Sequence, residues 1–246
     1  MDNAQLIGLS QQTALRRQLD IIANNLANLG TAGFRGERAI FEEYIMPIAE
    51  DSTLDGAAQD ISYVYDVALF RDLEAGRMDM TGNPLDVAID GKGWFVVETE
   101  NGERYTRAGN FRLDTEGRLV TVGGHPVLGD GGQFTFGPSE TDVAIASDGT
   151  VSSSAGEKGR INIVSFTDER LLLKEGSGLY SSPEPSQAAP EVRVNQGMIE
   201  LSNVNPISEI TQLVQVTRTY ESTARLLAQM NELQQNAIDE LGTLQA

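Results

Sequence analysis

Apolar residues recur along this chain with two different periods. Near the start, Leu15, Leu19, Ile22, Leu26 and Leu29 are spaced alternately four and three residues apart, the heptad seam of an amphipathic helix. Upstream the seam weakens to Gln12 and Gly8. Gly30 is expected to stop the helix, because glycine accepts the left-handed conformation at a C-terminus. A second, longer helix is predicted from Pro206. Asn205 can cap its first free N–H groups, and Glu209 sits in the first turn, where the helix dipole favours an acid. Ile210, Leu213, Tyr220, Ala224, Leu227, Ile238 and Leu241 fall on one seam, which also carries Thr217, Asn231 and Gln234; Leu226, Met230, Leu233 and Ala237 widen it. Neither glycine nor proline interrupts Leu9 to Leu29 or Ile207 to Leu241. At about 1.5 Å per residue the second helix is too long for an element tucked inside a small domain.

Between these ends the period falls to two. Leu85, Val87 and Ile89 alternate with Asp86, Ala88 and Asp90; Trp94 to Val97 is an apolar run of strand length; Phe111–Leu113, Leu119–Val122, Ile161–Phe166 and Val192–Val194 are further candidates. Turn formers separate them at Glu100-Asn101-Gly102, Thr115-Glu116-Gly117, Gly129-Asp130-Gly131-Gly132 and Asp148-Gly149. Of 25 glycines, 19 lie between Val67 and Asn205, which confines the punctuation to this middle part. The pattern predicts an α+β protein: long N- and C-terminal helices packed as a coiled coil around a mainly antiparallel β domain, a sandwich or partly closed barrel. The expected divisions are 1–36 with 206–246 as a helical domain, 37–75 as an acidic connecting segment and 76–205 as the β body. Residues 37–66 hold eight acids against one base and read as loop-like, as does Ser181–Pro190. The helical seams fit two arrangements: several copies packing around one another, or a helical hairpin within one chain that covers the β body.

Composition narrows the function. Acidic residues outnumber basic ones 36 to 18, giving a net charge of −18 over 246 residues, and such a surface repels phosphate. Nucleic acid and direct membrane insertion are therefore not expected as partners. Cysteine is absent and there is one histidine, which excludes thiol catalysis, disulfide scaffolds and Cys- or His-clustered metal sites. No apolar run reaches the length of a membrane-spanning helix. The start, Met1-Asp2-Asn3-Ala4-Gln5, lacks the basic region of a secretory signal, so a cytoplasmic protein, or export by a route without a cleaved signal, is expected.

Catalytic chemistry finds no support in the residues. There is no nucleophile elbow, P-loop, H-E-x-x-H or EF-hand pattern, and Gly91-Lys92-Gly93 lacks the third glycine of a dinucleotide loop. His125, in Gly123-Gly124-His125-Pro126, reads as a turn residue rather than a general base. Glu42-Glu43 reads as a chance carboxylate pair, and Asp86, Asp90 and Asp148 as turn acids rather than calcium ligands. Arg104, Arg107, Arg112 and Arg118 are expected to pair with neighbouring acids or with an acidic partner surface. The expectation is a protein that is not an enzyme and carries no cofactor or metal.

Four longer words carry a resemblance. Ile21-Ile22-Ala23-Asn24-Asn25-Leu26-Ala27-Asn28 with Thr31-Ala32-Gly33-Phe34-Arg35 closely resembles the N-terminal signature of the flagellar rod and hook family. Thr81 to Phe95 resembles that family's central motif, Arg104 to Phe111 its next strand pair, and Gln196 to Asn205 the segment leading into its C-terminal helix. The resemblance implies a structural subunit of the bacterial flagellar basal-body rod, polymerising through its terminal helices into a hollow shaft that transmits torque. It implies as partners copies of this chain, other rod proteins and the flagellar type III export apparatus, and a place in the periplasmic rod. Length and detail favour the proximal rod. The distal rod is the alternative, since Glu37 to Tyr44 partly echoes the wording of distal subunits. A wall-active periplasmic hydrolase and an adhesin are rivals of other classes. The assembly residues so implied are Leu15, Leu19, Ile22, Leu26, Ile210, Leu213, Tyr220, Leu227, Ile238 and Leu241 on the seams. Asn24, Asn25 and Asn28 would serve as packed amides, and Gly33, Phe34, Asn203, Val204 and Asn205 would form the junctions between helices and body.

Overall fold

The computed structural model describes residues 2–46, 61–189 and 192–243. The chain is α+β, with one helix near each end and a β-rich region between. It divides into two compact units. One contains 1–27, 37–71 and 205–246, the other 28–36 and 72–204.

The first unit holds the helices α1 (Asp2–Ala27) and α2 (Pro206–Thr243) and an antiparallel pair of strands, β1 (Glu37–Met46) and β2 (Ile61–Arg71). These strands replace the loop expected over 37–66; residues 47–60 lie outside the described part. The acid count obscured the strand-forming content of Phe41, Tyr44, Ile45, Tyr63, Val64, Tyr65 and Val67, which aromatic and β-branched side chains provide. Of the two arrangements open to the helices, pairing within one chain is present. Gly8, at the weak upstream end of the seam, is a close-approach position: a Cβ there would crowd the Leu227 side chain. One turn further out, Gln5 donates its amide to Asn231 Oδ1 at 2.6 Å and to Gln234 Oε1 at 2.8 Å.

The second unit is built on a six-stranded antiparallel sheet whose central members are Trp94–Thr99 and Gly102–Thr106. Leu179–Ser181 and Leu173–Gly176 extend it on one side, Ile163–Ser165 and Gln187–Ala188 on the other. The sheet is covered on both faces, which explains the unbroken apolar run from Trp94 to Val97. Phe95 and Val97 join a cluster with Val87, Ile89, Phe111, Leu119 and Val127. Trp94 and Val96 join the opposite cluster with Tyr105, Val164 and Tyr180. The Trp94 and Tyr180 rings meet edge to face, 4.9 Å between centroids. Shorter ladders complete the unit; two of them, Val87–Asp90 with Arg193–Gln196 and Met78–Met80 with Met198–Glu200, tie the start of the body to its end.

Candidate assembly interface

In the helical unit the inward face of α2 runs through Glu209, Leu213, Val216, Tyr220, Thr223, Leu227, Met230 and Gln234, each buried or half-buried. Their spacing alternates four and three, so the helix does carry a heptad seam. Of the expected positions Leu213, Thr217, Tyr220, Ala224, Leu227 and Gln234 are half-buried and Ile210 and Asn231 are exposed, so the inward face is wider than the expected seam and begins one residue earlier, at Glu209. Val216 is buried, whereas Ile210 is 52% exposed. The apolar pattern missed Glu209 and Thr223 on the inward face because both are polar. On α1, Ile22 is fully packed and Leu15, Leu19 and Leu26 are half-buried. The side chains of Ile238 and Leu241 lie outside the described residues.

Asn25 explains how a carboxylate comes to lie on that seam. Its side chain is buried, donates to the Glu37 carbonyl at 2.9 Å and accepts from the Glu37 N–H at 3.1 Å. The primary amide thus pairs with the first residue of β1 as a neighbouring strand would. Its second N–H reaches Glu209 Oε2 at 3.3 Å. One amide satisfies β1 and α2 from α1, and both of its N–H donors are used inside the chain. Asn24, one residue earlier, faces outward and is exposed. Asn205 caps α2 as expected, its Oδ1 accepting from the N–H groups of Ile207 at 3.0 Å and Ser208 at 3.2 Å.

The helix α1 ends at Ala27, and the left-handed glycine is Gly33 rather than Gly30. In the β-rich unit, residues 28–36 form a strap. Asn28 opens it, its carbonyl accepting from the Thr31 N–H at 3.2 Å and its Oδ1 from the Thr31 hydroxyl at 3.0 Å. Phe34 is buried beneath Lys174, whose Nζ stands 4.5 Å from the ring centroid. Asn203 holds the strap's end: its Oδ1 accepts from the Gly36 N–H at 2.8 Å, and its Nδ2 donates to the carbonyls of Asp72 and Glu74, each at 3.0 Å. Val204 is half-buried beside Gly36.

At the centre of this arrangement lies a charge cluster that sequence reasoning missed. Glu200, 1% exposed, receives Arg35 Nη1 on Oε1 at 2.6 Å and Arg107 Nε on Oε2 at 2.9 Å. The Gly76 N–H adds a third bond to Oε1 at 2.8 Å, and the Glu200 carbonyl accepts from the Gly33 N–H at 2.8 Å. Arg107 also donates to the carbonyls of Gly91 and Gly93, and Arg35 to that of Glu74. Burial pushes the Arg107 guanidinium below its usual pKa, with Glu200 opposing. Arg35, Arg107 and Glu200 each belong to a different one of the words that carried the family resemblance. Only Arg107 had been considered, as part of a basic stripe. Of that stripe, Arg104 pairs with Glu175 at 2.6 Å and Arg118 with Asp114 at 2.8 Å, so no shared basic surface is formed by these three.

Gly33 carries the tightest constraint at the strap. Its φ is +66°, and a Cβ there would lie 2.6 Å from the Ala108 nitrogen and 2.7 Å from the Arg107 carbonyl oxygen. Gly33→Ala is expected to cost the β-rich unit about 1–3 kcal/mol, read as a lower urea midpoint of the purified chain. An unchanged midpoint would show that the strap shifts at no cost.

The remaining candidates resolve into local structure. The His125 N–H donates to Thr121 Oγ1 within its turn. Asp86 accepts from Asn83 Nδ2 at 3.0 Å, and Asp148 accepts from Thr150. Among the described residues no group of three or more His, Asp or Glu side chains is placed to hold a metal ion, and no helix is long and apolar enough to cross a membrane. The Glu42 and Glu43 side chains lie outside the described residues.

Comparison with known proteins accounts for these features together. Residues 6–35 match the family described as flagella basal body rod protein, 88–153 the flagellar hook protein FlgE/F/G D1 domain, and 195–240 the flagellar basal body rod FlgEFG protein C-terminal region. The flagellar basal-body rod protein FlgF of Caulobacter vibrioides is 42% identical over 99% of this chain and 100% of its own. FlgF of Mesorhizobium japonicum is 34% identical over 99% of each chain. The rod protein FlgG of Bacillus subtilis is 31% identical over 94% of this chain and 96% of its own. Most of both helices and of the strap, and the closing segment of the body, fall within the matched stretches, and the chain therefore belongs to the flagellar basal-body rod family, as a structural rod subunit of the bacterial flagellum most like FlgF.

Proposed function

We propose that this chain builds the proximal rod, polymerising through its terminal helices into a hollow drive shaft that transmits torque. The single observation that supports this is a set of exposed apolar side chains on helices already paired. Ile207, Ile210 and Val214 follow one another at three and four residues on α2, and Leu226 and Leu233 are one heptad apart. Leu6 and Leu9 are exposed on α1. Large apolar side chains repeated at helical spacing outside the intrachain seam are the means by which several helix pairs pack as a coiled coil, and head-to-tail repetition without closure gives a tube. The β-rich unit is a sandwich or partly closed barrel in this reading. Export proceeds through the flagellar type III apparatus, and a chain without cysteine meets no disulfide trap on the way. A photo-crosslinking residue at Ile210 or Leu226 in swimming cells is expected to capture a second copy or another rod protein. No adduct at either position would overturn assembly through these faces. The FlgG relatives keep the distal rod as the second reading, and labelling of isolated basal bodies distinguishes the two by which end of the rod is marked.

A further inference from the structure

We propose that Met78, Met80 and Met198 form a thioether site for a soft monovalent cation, Cu(I) or its redox-inert counterpart Ag(I). Three of the chain's six methionines sit on one two-stranded ladder, in which Met80 lies directly opposite Met198 and Met78 lies two residues along the same strand. In an antiparallel pair, directly opposed residues and those two apart share a face, with opposed Cβ atoms about 4.5–5.5 Å apart. All three thioethers thus project from one side, on side chains with enough rotatable bonds to bring the sulfurs onto one ion. The ladder runs from the interior outward. Its inner end is the buried Glu200 opposite Met78, and its outer end is Met80, 78% exposed.

Core filling is the usual work of methionine, and Met80 does none of it. Met78 and Met198 are only half-buried. The Asn195 amide already treats the Met78 sulfur as an acceptor, approaching to 3.8 Å. Thioethers select Cu(I) over the harder divalent ions. With no cysteine and one histidine in the chain, they are its softest donors, and the net charge of −18 favours any cation at the surface.

The test uses the full chain with its methionine methyl groups ¹³C-labelled, titrated with silver nitrate in chloride-free buffer. One equivalent of Ag(I) is expected to move the methyl signals of Met78, Met80 and Met198 and leave those of Met1, Met46 and Met230 in place. The double variant Met80→Leu, Met198→Leu is expected to weaken Ag(I) binding by at least about tenfold, and Met230→Leu to leave it unchanged. The exposure of Met80 makes leucine harmless to the fold there, and Met80→Leu alone supplies the same comparison should the double variant fold poorly. Anaerobic Cu(I), offered against a chromogenic chelator, should follow the same order. Movement of all six methyl signals in step, or undiminished binding by both leucine variants, would overturn the site.

Discussion

Glu200→Ala will destabilise the β-rich unit by about 3–5 kcal/mol, the cost of leaving a buried ion cluster without its counter-charge. In the native chain one carboxylate pairs with two buried guanidinium groups and accepts the Gly76 N–H. Removing it leaves Arg35 and Arg107 beside each other with no counter-charge between them. Arg107 keeps its bonds to the carbonyls of Gly91 and Gly93, yet burial already works against its charge, and the loss of Glu200 removes the main opposing influence. Glu200→Gln should lie between the two, since it keeps the shape and an acceptor but not the charge. The measurement is simple because Trp94, the only tryptophan, is buried in the central sheet and its fluorescence follows that unit in urea. A midpoint for Glu200→Ala equal to that of the native chain would mean that the cluster contributes nothing.

The same cluster shows where reading the sequence succeeds and where it stops. Helices at both ends, strands between and most turns were legible, because each rests on local periods or on residues with fixed backbone preferences. Asn205 and Pro206 marked the start of α2 to the residue. The β1–β2 pair was not legible, since Glu37, Glu42 and Glu43 gave a strand the charge of a loop. The start of the inward face of α2 was placed at Ile210 instead of Glu209 because Glu209 is buried through an amide 184 residues away in sequence. Arg35, Arg107 and Glu200 were invisible for the same reason: each looks like an ordinary surface charge, and only the fold brings them together. What could have exposed them is local context: Arg35 directly follows Gly33-Phe34, and Glu200 stands between Ile199 and Leu201, where a solvated charge has little reason to be.

Adjacent leucines on α2 separate assembly from folding. Leu227 faces Gly8 within the chain, whereas Leu226 and Leu233 are 55% and 68% exposed. Leu227→Asp sets a carboxylate against the other helix and should destabilise the helical unit of the purified chain by about 1–3 kcal/mol. Leu226→Asp with Leu233→Asp places charge where the single chain meets water, so its unfolding midpoint should move by no more than about 0.5 kcal/mol. In a rod built as proposed, those same two positions are packed against neighbouring subunits. There each added carboxylate would be buried without a partner, a cost repeated in every subunit of the tube. The double variant is therefore expected to be absent from isolated basal bodies and to abolish spreading in soft agar, while remaining as stable in solution as the native chain. Native spreading by cells carrying it would show that Leu226 and Leu233 stay in water within the finished rod, and the lateral contacts would have to be sought on another face of the helix pair.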